Sequence, residues 1–167
     1  PDDLTQPAPG VRSYQVAQPQ WMDGLSSSRF VGIPDGGSWT VNPKNGALTP
    51  ADGTVLAKTV YNVKPNQPIE TQVLLYQGSE WHAYSYLWNE KGTDAQLVGS
   101  DGNLVAVENG SATLNWRINS RSECLACHNT RTNQVIGFRS EQLNAGEDNQ
   151  LHSLIRSGHI RIAGDNL

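Results

Sequence analysis

The chain has two cysteines, and they stand three residues apart with a histidine directly after the second, in Cys124-Leu125-Ala126-Cys127-His128. On a helix, positions i, i+3 and i+4 share one face, so this spacing aims both thiols and the imidazole at a single object. The start of that helix is also written in: Ser120 followed by Glu123 forms a capping box, whose side chains satisfy the first orphan amide donors. C-x-x-C-H is the signature of c-type haem attachment, in which two thiols form thioethers with the haem vinyl groups and the imidazole reaches the iron. A bare C-x-x-C has other uses. A thioredoxin-like redox pair expects a surrounding βαβ pattern, a zinc site needs a fourth ligand from the three other histidines, and a plain disulfide leaves His128 unexplained. The spacing therefore marks Cys124, Cys127 and His128 as cofactor-binding residues, His128 as a metal ligand, and one covalently attached haem c as the cofactor.

Length and charge bound the rest. At 167 residues with 37% hydrophobic content, the chain is the size of one domain with a real core. A formal net charge of −4 argues against nucleic acid or an anionic membrane surface as partner. The absence of a long apolar run argues against membrane insertion. Haem c is attached outside the cytoplasm, so the expected location is periplasmic or secreted. The opening Pro1-Asp2-Asp3 is not a signal peptide, which fits a mature or excised domain.

The hydrophobic pattern predicts a mainly β fold, an antiparallel sandwich or distorted barrel, with a small helical C-terminal part that binds haem. Residues 1–13 form an N-terminal arm or linker, within a Pro- and Gln-rich stretch that runs to residue 20. Residues 14–167 are a single haem c domain, divided into a β-rich part (14–118) and a haem-attachment and helical part (119–167). Strands are predicted over 29–33 and 39–41, the second pairing back on the first, followed by a loop over 42–53. Then come 54–62, 69–76 and 80–89, the last two joined by a tight turn through Gln77-Gly78-Ser79. Strands over 94–98, 104–107 and 112–118 follow, with Asp101-Gly102 and Asn109-Gly110 as short hairpin turns. A helical turn is expected over 138–143, and a helix from near Glu147-Asp148 to Gly158.

Several stretches, taken in order, resemble a family of exported bacterial c-type cytochrome domains associated with quinone-dependent sugar dehydrogenases or with extracellular multidomain redox proteins. They are the W-x-D-G of Trp21 to Gly24, Arg29, Ile33-Pro34, and the G-T-V-x-x-K of Gly53 to Lys58. Glu70-Thr71-Gln72, Tyr86 to Asn89, Thr93-Asp94-Ala95 and the segment from Ser120 to His128 come next, then Gly137-Phe138 and Gln142-Leu143-Asn144. Ser27 and Gln72 depart from the pattern, standing where Lys and Arg are common. The resemblance implies a redox partner protein, such as a sugar dehydrogenase or another extracellular oxidoreductase.

The expected function is one-electron transfer by a monohaem domain. Two alternatives stand beside it. One is a haem enzyme or ligand-binding domain with an open distal site, for which Arg29, Arg117, Arg121 and His82 are the available polar side chains. The other is a carbohydrate-binding β-sandwich module, raised by the five tryptophans, whose simpler role is core packing. Arg121, on the attachment turn, is a candidate partner for a haem propionate. The sixth iron ligand is open among Met22, Lys58, His82, His152 and His159, or none. Lys58 is preferred because it shares strand parity with Leu56 and Val60, which directs its stem toward an apolar face. A salt bridge with Glu70 is its simpler role.

Overall fold

A computed structural model describes residues 7–63, 66–109, 112–129, 135–144 and 149–164. The chain forms β1 (Val11–Ser13), β2 (Ser26–Gly32), β3 (Trp39–Val41), β4 (Leu48–Thr49), β5 (Val55–Tyr61), β6 (Pro68–Gln77), β7 (Glu80–Trp88) and β8 (Ala95–Leu97). The hairpin strands β9 (Asn103–Asn109) and β10 (Ala112–Ile118) then lead into α1 (Arg121–Cys127), α2 (Ser140–Leu143), α3 (Gln150–Arg156) and a last strand, β11 (Ile160–Ile162).

Six strands make the main sheet in the order β1-β2-β5-β6-β7-β8, antiparallel throughout. It is an open sheet with β1 and β8 at its edges, so the fold is not a closed barrel. The β6–β7 hairpin turns through Gly78 (φ 61°) and Ser79 (φ 66°). Two successive left-handed residues match the twist of the flanking strands, and the Asp52 carboxylate accepts from the Gly78 amide at 2.7 Å.

Two smaller units cover one face of this sheet. Toward one end, Val31, Leu56 and Trp81 pack with Trp39, Val135, Phe138, Leu143, Leu154 and Ile160. These bring together the main sheet, the three-stranded sheet β11-β3-β4, and the helices α2 and α3. Toward the other end, Val60 and Ile69 pack with Met22, Leu25 and Val107, flanked by Val105 and Trp116 of the β9–β10 hairpin. The arrangement is sandwich-like, with the covering layer split into two parts.

Several expectations are corrected. Val11–Ser13, placed in the N-terminal arm, is an edge strand, since its register brings Val11 opposite Gly32 and Ser13 opposite Phe30. β3 does not pair back on β2; it joins β4 on one side and, in parallel, β11 on the other. The loop over 42–53 thus contains a two-residue strand, and β11 was not anticipated, because three residues after a helix-ending glycine give no periodicity to read. Asp101-Gly102 does turn the chain, with Gly102 at φ 67°, but it connects β8 in the main sheet to β9 in a separate hairpin. Gly110, Glu147 and Asp148 lie outside the described residues.

Phe138 ties the C-terminal part to the sheet: its ring centroid lies 4.5 Å from that of Trp39 and 5.1 Å from that of Tyr14, the latter pair nearly perpendicular. It is 1% exposed. Phe138→Ala should cost about 3–5 kcal/mol of stability in urea unfolding; a loss under about 1 kcal/mol would mean that this junction is not part of the core.

Candidate functional site

Cross-strand partners share a face of a sheet, so the register lays out successive rows across β2, β5, β6 and β7. One row is apolar: Val31, Leu56, Leu74 and Ala83. The next is polar: Arg29, Lys58, Gln72 and Ser85. The third holds Ser27, Val60, Glu70 and Leu87. Val31, Leu56 and Leu74 of the first belong to one apolar cluster and Val60 of the third to the other, so the polar row runs between the two parts of the covering layer.

An open cleft of about 410 Å³ lies over these rows. This is within the range of roughly 300–1,000 Å³ common for ligand pockets. Its floor includes Arg29, Leu56, Lys58, Gln72, Leu74 and Ala83. One wall is Cys124, Cys127 and His128 with Asn119 and Glu123. The opposite wall carries Tyr14, Val16, Gln18 and Gln20, together with residues 135–138 and Gln142. The alternation of 14, 16, 18 and 20 is that of an extended segment. It is clamped by a main-chain bond from Ala17 N to Gln142 O (2.8 Å) and by the Gln15 and Gln18 amides donating to Gln150 and Gln142 side chains.

The helix that carries Cys124 and Cys127 starts as the sequence predicts. Ser120 caps α1, its hydroxyl accepting from the Glu123 amide, while the Glu123 carboxylate accepts from Ser120 N at 2.8 Å. Arg117 on β10 pairs with the same carboxylate at 2.9 Å, joining the helix to the hairpin. The Ser120 amide and Arg117 hold the Glu123 carboxyl below its ordinary range. Helix α1 packs against β7, whose outer edge among the described residues has no strand along Glu80 to Tyr84, since β8 pairs with Tyr86 to Trp88 and Val98 N donates to Ser85 O. Cys124 Sγ lies 3.7 Å from Ser85 Oγ, so the polar row ends at a thiol. Burial, with smaller contributions from Glu70 and Glu123, pushes the Cys124 thiol up, against the Ser85 hydrogen bond. The two cysteines are not joined in a disulfide.

Of the five candidates for a sixth ligand, Lys58 is the one that lines the cleft. Burial, then the neighbouring Arg29 charge, lowers its ammonium pKa, and Glu70 opposes the shift. Met22 is buried in the cluster with Leu25 and Val60. His82 is on the other face of the sheet from Ala83 and bonds Arg121 at 2.9 Å. His152 is exposed on α3, and His159 bonds Ser157 at 2.7 Å. Arg121 is not brought to the cleft: it reaches His82 and the Tyr84 ring, 5.7 Å from the centroid. Arg117 is taken up by Glu123, which leaves Arg29 as the cleft-lining member of the polar set weighed for a distal site.

Sequence reading missed the role of Glu70. It is the charged residue buried from solvent among the described residues, 0% exposed, and accepts from Trp116 Nε1 (3.0 Å) and Gln72 Nε2 (3.1 Å). Burial pushes its carboxyl up against those bonds and the Lys58 charge. A Glu within an alternating apolar strand was the available signal. Trp39 and Trp81 are core residues, Trp88 donates to Thr71 and Trp116 to Glu70; Trp21 is 80% exposed.

Among the described residues no three His, Cys, Asp or Glu side chains converge as a metal-binding cluster. Among the described residues no helix is long and apolar enough to cross a membrane. Comparison with protein-family models, with curated proteins and with solved structures finds no match.

Ser120→Ala should lower stability by about 1 kcal/mol in denaturant unfolding, the usual worth of an N-cap. Because the Glu123 carboxyl is held low in the folded state, its contribution is present above the ordinary carboxylate range and is lost as pH falls through its folded pKa. The wild-type melting temperature should therefore drop on the acid side by more than that of Glu123→Gln. Equal acid loss in both proteins would remove the carboxylate from the account of the cap.

Proposed function

We propose that this chain is an exported monohaem c-type cytochrome domain that transfers single electrons. The observation that carries the reading is that one cleft is lined by Cys124, Cys127, His128 and Lys58 together. The donor set fits the group: two thiols would bond the vinyl carbons, and the His128 imidazole and the Lys58 amine would be available to the iron. The apolar row and the aromatic wall of Tyr14 and Phe138 offer the low-polarity surface that a porphyrin face requires. When bound, haem supplies a one-electron couple whose potential is set by axial ligands, burial and nearby charge.

The chain's own residues then have separate tasks. Ser120, Glu123 and Arg117 fix the start of α1, so that Cys124, Cys127 and His128 arrive on one wall in a set order. Tyr14 and Phe138 exclude water from the opposite wall. Lys58 is held with a depressed pKa, which favours the neutral amine required of a ligand. Electron transfer is favoured over catalysis because the titratable neighbours of Arg29 in the cleft have other tasks in this reading, Lys58 at the iron and Glu123 in the cap with Arg117, and a guanidinium that stays charged is a poor acid or base by itself. The resemblance in motif order supports a periplasmic or secreted setting and a redox partner protein, a sugar-oxidising enzyme or another extracellular oxidoreductase.

The reduced holoprotein should be reoxidised quickly by small one-electron acceptors and give reversible voltammetry. Sustained, enzyme-like turnover of peroxide would contradict electron transfer as its task. Lys58→Ala should keep its haem and convert a low-spin ferric spectrum to a high-spin one; an unchanged low-spin spectrum would remove Lys58 from the iron.

A further inference from the structure

The cleft floor holds a cation that the thioether and axial assignments leave unused. Arg29 sits on β2 directly across from Lys58 on β5, and both line the cleft. Like charges directly opposite in an antiparallel pair destabilise it unless an anion intervenes. Among the described residues Arg29 has no carboxylate partner: its side chain donates to Ser27 Oγ at 3.1 Å, and the ion pair there joins Arg117 to Glu123. Glu70, the one buried carboxylate there, is engaged by Trp116 and Gln72 and interacts with Lys58. The other arginine near α1, Arg121, is turned toward His82 and Tyr84.

Distance along the polar row adds a second constraint. Ser85, which touches Cys124, is three strands from Arg29, with Gln72 and Lys58 between them. Three inter-strand spacings amount to about 14 Å. Protohaem carries its two vinyl groups on one half of the macrocycle and its two propionates on the other, so a thiol at one end of the row calls for a carboxylate receptor at the far end. Guanidinium is suited to that task because its fork matches a carboxylate through two parallel hydrogen bonds.

Resting on the haem reading above, we propose that Arg29 is the anchor for the propionate edge of the cofactor, which lies across the sheet from the β7–α1 thioether end to the guanidinium on β2. Anchoring satisfies the unpaired cation beside Lys58 and fixes the rotation of the macrocycle about the attachment turn. Arg29 replaces Arg121 as the carboxylate partner.

The test uses holoproteins of wild type, Arg29→Gln, Arg29→Lys and Arg121→Gln, each checked for covalent haem by intact mass. Arg29→Gln should retain its haem, shift the propionate bending modes in the resonance Raman spectrum, and lower the midpoint potential, since removing a nearby cation favours the ferric state. Arg29→Lys should restore most of the potential but not the propionate modes, and Arg121→Gln should leave both at wild-type values. Unchanged propionate modes in Arg29→Gln, or a larger shift in Arg121→Gln, would overturn the assignment. So would a spin-state change without any propionate shift, which would route the effect through Lys58. If Arg29→Gln fails to accumulate, a crystal structure of the wild-type holoprotein decides, by whether the guanidinium is hydrogen-bonded to a propionate or turned away. A wild-type polypeptide without haem would overturn the haem reading itself, separately from the role of Arg29.

Discussion

The structure depends on a polar row, Arg29, Lys58, Gln72 and Ser85, laid across four strands between the apolar row of Val31, Leu56, Leu74 and Ala83 and a row in which Val60 and Leu87 stand with Ser27 and Glu70. Two cations side by side cannot be sealed under a hydrophobic cover without a large desolvation cost. The covering layer accordingly divides: β3, β4, β11, α2 and α3 close one end, and the β9–β10 hairpin closes the other. The cleft is the space left between them. Its position follows from where charge appears on the sheet, and its walls are the elements that flank the gap.

The free edge of β7 is the second constraint. A strand edge without a neighbour exposes unpaired backbone groups, and proteins cover such edges with a helix or a loop. Here α1 lies along that edge, and its capping box and the Arg117–Glu123 pair determine where its first turn begins. The same placement brings Arg121 out toward His82 and Tyr84 on one face of the sheet and Cys124 against Ser85 on the other. Covering an edge and presenting the thiols to the cleft are thus one structural act.

Much of this was legible in local sequence. The cap at Ser120 and Glu123, the strand content of β5, β6 and β7, the Gly78-Ser79 turn and the parity of Lys58 with Leu56 all rest on short-range rules, and the structure agrees with each. Pairing between distant strands was not legible. Nothing near Trp39 marks β11 as its parallel partner, and Asp101-Gly102 looks the same in sequence whether it closes a hairpin or links two sheets. Likewise, Arg121 opens the helix that carries the two cysteines, but only the edge-on placement of α1 determines that it faces away from the cleft. Gln72 and Ser27, which depart from the resembled pattern, now have local tasks: Gln72 donates to buried Glu70, and Ser27 accepts from Arg29. A pair of uncharged residues at these positions leaves Arg29 and Lys58 as the cations of the floor.

The central claim is that the cleft wall of Cys124, Cys127 and His128 holds haem through two thioether bonds. It is tested most directly by the intact mass of the denatured polypeptide after expression alongside c-type haem attachment machinery. The account predicts the mass of the chain plus one haem, with the adduct lost completely in the Cys124→Ala/Cys127→Ala double variant. A bare polypeptide, or one lighter by the two hydrogens of a disulfide, would contradict it.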